Sequence, residues 1–418
     1  MNLAKNTAKS AANYMKNFIK WVLVASVVGI IGGAVGSVFH LLLDMVGEIR
    51  GHHGWIVYFL PIAGVAIAGL YALCRKKGKL DTNRVIESVQ TEEKVPLILS
   101  PLIVVSTLIT QLFGGSAGRE GAALQLGGSI GYNIGRCFKL NKPDMHVIVM
   151  AGMSAVFTAL FGTPLTAAVF AMEVATVGYF HYGGFLACII SSAVAFMISS
   201  VMGATPVRFS VALPDVLSAE MLIKVVILSF LCAIVSMMFC IAIKKSEHYM
   251  KKLFANVYLR AFVGGGVVVI LTLLLGTRDY NGAGMEIVAR AMQGDARAEA
   301  FILKIIFTAI TIAAGFKGGE IVPTLFIGST FGCVVGGLLG LDPAFGAAIG
   351  FVALFCGVVN CPLASIVLAV EVFGGKGIMP FAIACGVSFM MSGYFGLYKS
   401  QKIEYSKFTD EIIDINAK

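Results

Sequence analysis

Apolar residues occupy this chain in long runs separated by short polar breaks. Twelve such runs fall between about residue 21 and residue 398, and cut into pieces of about 20 residues they predict ten to twelve membrane segments. The first run, 21–46, is too long for the apolar centre of a signal peptide and has no obvious small-residue cleavage site, so it reads as a retained span. Ahead of it, Lys5, Lys9, Lys16 and Lys20 interleave with Met15, Phe18 and Ile19, the pattern of an amphipathic helix on the membrane surface over residues 1–20. Several runs are short or interrupted by glycine, as in helices that stop partway across. The pattern predicts an all-α polytopic membrane protein with a transport domain over 21–398. The tail 399–418 is too short for a regulatory domain.

The runs repeat. Residues 118–131 align with 319–332 at an offset of 201, which pairs Gly118-Arg119-Glu120-Gly121 with Gly319-Glu320-Ile321-Val322. Pro164-Leu165 and Glu173-Val174 align with Pro362-Leu363 and Glu371-Val372 at an offset of 198. Two blocks in one order define repeat halves of about 21–203 and 222–398. Paired, glycine-broken apolar segments point to a transporter whose site lies at the repeat interface, with broken helices meeting near the bilayer midplane.

Each first block is a glycine-rich turn opening into an apolar helix, so free backbone N–H groups and the positive end of a helix dipole point into the protein at membrane depth. Such ends bind anions, which favours a small anion as cargo. Gly118 and Gly121 flank the charged pair of the first turn, whereas Gly127, Gly131 and Gly135 have the spacing of a helix-packing face. Glu120 stands out because a carboxylate at membrane depth costs about 2.5–3.5 kcal/mol on insertion scales. Ionised, it can sit in the anion site as a tethered competitor; protonated, it can leave, so one group both gates the pathway and carries a proton. The plainer alternative is an ion pair with Arg119.

Composition narrows the class. The chain is 58% hydrophobic and 13% charged, which excludes a soluble enzyme. The net charge of +9 comes largely from the N-terminus, the 75–84 stretch and the 244–252 loop, as the positive-inside rule expects for a chain with both termini in the cytoplasm. No basic stripe or reader module suggests nucleic acid. Of the nine cysteines, Cys188, Cys232, Cys240, Cys333, Cys356, Cys361 and Cys385 lie in apolar stretches and read as small core residues, and neither the cysteines nor the six histidines have metal-ligand spacing; no cofactor is expected.

Gly118-Arg119-Glu120-Gly121, the stretch from Ala151-Gly152-Met153-Ser154-Ala155 through Pro164-Leu165 to Glu173, and Gly318-Gly319-Glu320-Ile321-Val322-Pro323 with its glycine-rich helix together resemble the CLC family of anion channels and proton-coupled anion exchangers. The resemblance runs from about residue 21 to 398. It implies a CLC-like inverted repeat and a homodimer in the lipid bilayer with one anion pathway per subunit; the short loops and short tail fit a prokaryotic inner-membrane protein. By the same resemblance Glu120 matches the external gating glutamate, and Gly118, Arg119, Gly121, Ile321 and Val322 supply the anion site. Tyr398 looks like the tyrosine closing the pathway on its inner side.

Three departures bear on the ion. Chloride-type members have a Gly-Ser-Gly-Ile-Pro motif where this chain has Leu80-Asp81-Thr82-Asn83-Arg84, and a second glutamate where it has Val174. Glu320 replaces a residue that is usually uncharged. These features look like the fluoride/proton exchanging branch, although Asp81 and Val322 stand where that branch has methionine nearby and threonine. Within that branch Glu320 is a candidate second proton site; a cap on its own helix is the alternative. Glu173 and Glu371 are expected to tie their helices to neighbouring backbone amides or an arginine. The reading is therefore proton-coupled antiport of a small halide, fluoride or chloride, with no enzymatic activity. Its rivals are a passive, voltage-gated-type chloride channel and, remotely, an intramembrane serine protease using Ser154 and His181.

Overall fold

The computed structural model describes residues 2–74, 81–91, 94–213 and 218–418, with side chains from residue 10 onward. The basic loop 75–79, Leu80 and the side chains of Lys5 and Lys9, used above, lie outside this description.

The protein is a multi-pass helical membrane protein. Its first half runs through α1 (Asn2–His52), α2 (Leu60–Cys74), α3 (Thr82–Gln90), α4 (Leu99–Leu112), α5 (Glu120–Cys137), α6 (Lys142–Phe161), α7 (Pro164–Glu173), the short strand β1 (Thr176–Val177) and α8 (Phe185–Val201). The second half holds α9 (Ala219–Leu253), α10 (Val257–Leu275), α11 (Met285–Ala291), α12 (Ala300–Ala314), α13 (Ile321–Leu338), α14 (Pro343–Val359), α15 (Pro362–Phe373) and α16 (Ile378–Met391), and ends in β2 (Lys402–Tyr405) and β3 (Ile412–Asn416).

Among the described residues, seven helices are long and apolar enough to cross a membrane, and six apolar ones are shorter. At 1.5 Å per residue, the 10 residues of α7 reach about 15 Å, half of a hydrocarbon core of about 30 Å. The ten to twelve apolar pieces are thus divided between full crossings and partial ones. Helix α1 has 51 residues and passes position 20 without a break, so residues 2–20 form one continuous helix with the first span.

The two halves use matched punctuation. Asn141 caps α6 by accepting from the Asp144 N–H at 2.9 Å, and Asp342 caps α14 by accepting from Phe345 at 2.9 Å; a proline follows within each first turn. Gly162 and Asn360 then end those helices with φ of 68° and 56°. Pro164 and Pro362 open α7 and α15.

The core is built on close glycine contacts. A Cβ at Gly127 on α5 would lie 2.3 Å from the Gly152 carbonyl oxygen on α6, and one at Gly328 on α13 would lie 2.3 Å from that of Gly350 on α14. A Cβ at Gly131 would lie 2.3 Å from the Ile148 carbonyl oxygen and one at Gly135 2.6 Å from the Met145 sulfur, so these three glycines form the packing face that their spacing suggests. Ser154 belongs to the same packing: its buried hydroxyl donates to the Cys188 carbonyl of α8.

Two carboxylates join the halves. Glu173 accepts from the Leu363 and Ala364 N–H groups at 3.1 and 2.8 Å, and Glu371 accepts from Leu165 and Thr166 at 2.9 and 2.8 Å. Both tie to backbone amides, one of the two roles expected of them.

The chain is not wholly α. β2 pairs in parallel with β1 and antiparallel with β3, forming a small sheet that docks the tail. Gln401 secures it by donating to the carbonyls of Val174 and Val359. Apolar alternation over such short strands is too brief to be read from sequence.

Candidate functional site

The two glycine-rich turns meet. Gly118 donates to the Gly319 carbonyl at 2.6 Å, and Gly319 donates to that of Gly118 at 2.9 Å, forming a two-bond antiparallel bridge between the repeats. Helix α5 begins just after it, with Arg119 at the N-cap, and α13 begins with Glu320 at the matched position. Two helix N-termini therefore converge on one buried point. Gly121 lies on the same seam, where a Cβ would stand 3.2 Å from the Gly318 carbonyl oxygen.

Glu120 occupies that point. It is fully buried, its Oε2 accepts from the Arg119 N–H at 3.1 Å, and the Val322 backbone amide of the other half also faces the carboxylate. Its Oε1 has no hydrogen-bond partner among the described residues. The glycines make room for it: a Cβ at Gly118 or Gly319 would lie 2.4 or 2.6 Å from Oε2. A carboxylate of the first repeat thus rests at the amide end of the second repeat's helix, the geometry required of a tethered anion.

Arg119 does not form an ion pair with Glu120 among the described residues. Its guanidinium turns away to the His40 Nδ1 at 2.9 Å and lies 5.0 Å from the centre of the Phe161 ring. A guanidinium can only donate, so Nδ1 accepts and the ring proton sits on Nε2, 3.3 Å from Asp44. His40 and Asp44 lie 79 and 75 positions before Arg119, and nothing in their sequence surroundings marks them as neighbours of the gate.

Two cavities approach Glu120 from opposite sides. One of about 910 Å³ is lined by Arg119, Val322, His40, Asp44 and Arg50 among others. The other, of about 720 Å³, is lined by Glu320, Tyr398, Thr82, Gln125 and Lys317 among others. Glu120 lines neither, but its neighbours Arg119 and Val322 line the first and Gly318 and Glu320 the second, which sets it between the two. Ile321 is buried in the first turn of α13.

Tyr398 is buried on the side of the second cavity, its hydroxyl without a partner among the described residues. Glu320 makes no side-chain capping bond, which sets aside the cap expected as its alternative role.

Thr82 and Gln125 were not anticipated at the site. Gln125 donates to the Thr82 hydroxyl at 2.9 Å, and α3 begins there, capped by Asp81, whose side chain accepts from the Arg84 N–H. The stretch lacking the serine motif therefore still delivers a hydroxyl and a helix start to the cavity. Asp81, ahead of an apolar-periodic helix, is the sequence sign of that start.

The chain is similar to known proteins over most of its length. The profile of the voltage-gated chloride channel family matches residues 70–393. A Pseudomonas syringae pv. tomato protein named chloride/fluoride channel protein is 33% identical over 395 residues, 93% of this chain and 87% of its own length. A Vibrio cholerae H(+)/Cl(-) exchange transporter is 24% identical over 384 residues, covering 84% of this chain and 81% of its own. The crystal structure of a CLC-type fluoride/proton antiporter superimposes with a TM-score of 0.88 at 30% identity, over 92% of this chain and 98% of that one. A slow cyanobacterial Cl-/H+ antiporter shares the fold, with a TM-score of 0.77 at 20% identity over 89% of this chain and 94% of that one. The chain belongs to the voltage-gated chloride channel (CLC) family.

Proposed function

We propose that the protein exchanges a small halide, fluoride in the first instance, for protons, with Glu120 as both gate and proton carrier. The observation that carries this reading is the position of the buried Glu120 carboxylate: it belongs to one repeat, lies at the amide end of the other repeat's helix, and stands between two cavities. Ionised, it competes with the anion for the Val322 amide; protonated, it gives up the site. Ile321, Gly118, Gly121 and Arg119 complete the anion site, Tyr398 closes it on the second-cavity side, and Glu320 is the second proton site. The fluoride/proton antiporter title of the 30% identical structure supports fluoride and coupling.

The second cavity opens on the face holding Lys244, Lys251 and Lys399, which by the positive-inside rule is cytoplasmic, together with both chain termini. We place the protein in a prokaryotic inner membrane as a homodimer.

Reconstitution into liposomes tests the reading. A fluoride gradient should drive uphill proton movement, and Glu120→Gln should abolish it. Downhill fluoride flux without proton movement in the unmodified protein would leave a passive channel instead, and a parallel chloride arm decides the ion. Ser154→Ala should leave flux intact.

A further inference from the structure

A third cavity, of about 370 Å³, lies apart from the anion pathway, between the end of α3, the end of α5 and the start of α6. Thr91 lines both this cavity and the one below Tyr398, so the two open on the same face of the protein. Lys94, Arg136, Lys139, Lys142 and His146 converge on it, and its described lining holds no carboxylate; Glu92 and Glu93 lie outside the described residues. Neither Arg136 nor Lys139 forms an ion pair with a described residue. Asp144, the acid in the first turn of α6, is bonded instead to Lys20 on α1.

Lys139 has a φ of 51°, a left-handed conformation that glycine adopts without cost and lysine does not. The turn is otherwise an ordinary helix end: Lys139 donates to the Arg136 carbonyl and Leu140 to that of Gly135. A cation is thus held where backbone geometry favours glycine, and it faces the cavity. The same lining includes Leu140, Met145 and Val149, and Phe138 beside it is 50% exposed. A cluster of cations with an apolar wall at a membrane face suits a phosphate group carried on an apolar body.

We propose that this cavity binds a phosphate-bearing anion, supplied either by an anionic lipid headgroup or by a free phosphate compound. Arg136, in a planar fork, and Lys139 offer N–H donors to phosphate oxygens, and the Leu140 and Met145 wall accommodates a glycerol backbone.

The test uses the full-length protein, delipidated in detergent. Native mass spectrometry follows its titration with phosphatidylglycerol and, separately, phosphatidylcholine, and calorimetry follows titration with inorganic pyrophosphate. Arg136→Gln combined with Lys139→Gly removes two cations, and glycine at 139 suits the existing turn, so the fold is retained. Fluoride flux in liposomes checks that these residues leave transport alone.

The double variant should bind about twenty-fivefold more weakly, from about a factor of five for each cation. Preference for phosphatidylglycerol over phosphatidylcholine, lost in the variant, assigns the site to lipid. Pyrophosphate binding lost in the variant, with no lipid preference, assigns it to a free phosphate compound. Equal binding of both lipids with no pyrophosphate binding, or affinities unchanged in the variant, would overturn the proposal.

Discussion

Glu173 and Glu371 stand at equivalent ends of two antiparallel helices, and each carboxylate holds the first turn of the other's helix. Each satisfies two backbone N–H groups that a helix leaves free at its start. Replacing either by alanine should destabilise the protein by roughly 1.5–3 kcal/mol, the usual range for hydrogen bonds to a charged group. Because both bonds close the same pair of helices, the double variant should fall short of the sum. Thermal unfolding in detergent measures this, and losses that add within about 0.5 kcal/mol would mark the two contacts as independent.

The bridge between Gly118 and Gly319 makes a sharper demand. A methyl group at position 319 would meet the backbone nitrogens of Glu120 and Gly121 and the Glu120 carboxylate, all within 2.7 Å. Gly319→Ala should therefore cut fluoride flux by about tenfold or more, as expected when overpacking costs about 1–3 kcal/mol at a rigid point. Liposome flux at matched protein density reads the effect; flux within twofold of the unmodified protein would count against the cradle.

The glycine faces of the halves should be equally intolerant. Gly127→Ala and Gly328→Ala each drive a methyl group to 2.3 Å from a carbonyl oxygen on the facing helix. Their melting temperatures in detergent should fall together, by similar amounts. A loss confined to one half would show that the other can relax around the same contact.

The docked tail contains a buried cation. Lys407 donates to Asn360 Oδ1, the Phe389 carbonyl and the Ser392 hydroxyl, and burial pushes its ammonium down to about 8. Below pH 8 the folded and unfolded chains both hold the proton, and the full cost of burying the charge is felt. Between pH 8 and about 10.4 the unfolded chain keeps a proton that the folded one has shed, so stability rises with pH. The melting temperature should climb over that window, and Lys407→Met should lack this part of the climb. An identical pH response in both proteins would refute it.

Much of this architecture was legible because it is written twice. The paired Gly-rich turns and the Pro-to-Glu blocks located both broken helices and the point where they meet, and a carboxylate at membrane depth singled out Glu120. The tail sheet was hidden because strands of two, four and five residues carry too little periodicity. His40 was hidden for a different reason: its role depends on α1 passing the N-cap of α5, a packing relation between helices far apart in sequence. Thr82 lies in a stretch that lacks the family's serine motif, although Asp81 signals the helix start.

The exchanged carboxylates also set a timetable for biosynthesis. Leu165 finds its partner Glu371 only 206 residues later in the chain, and at 5–20 residues per second that wait lasts roughly 10–40 s. Throughout it, the ribosome has delivered into the bilayer a short helix with an open N-terminus and a lone carboxylate at its far end. The first half is thus a dependent partner rather than a finished unit, and its assembly is completed from the carboxyl-terminal half.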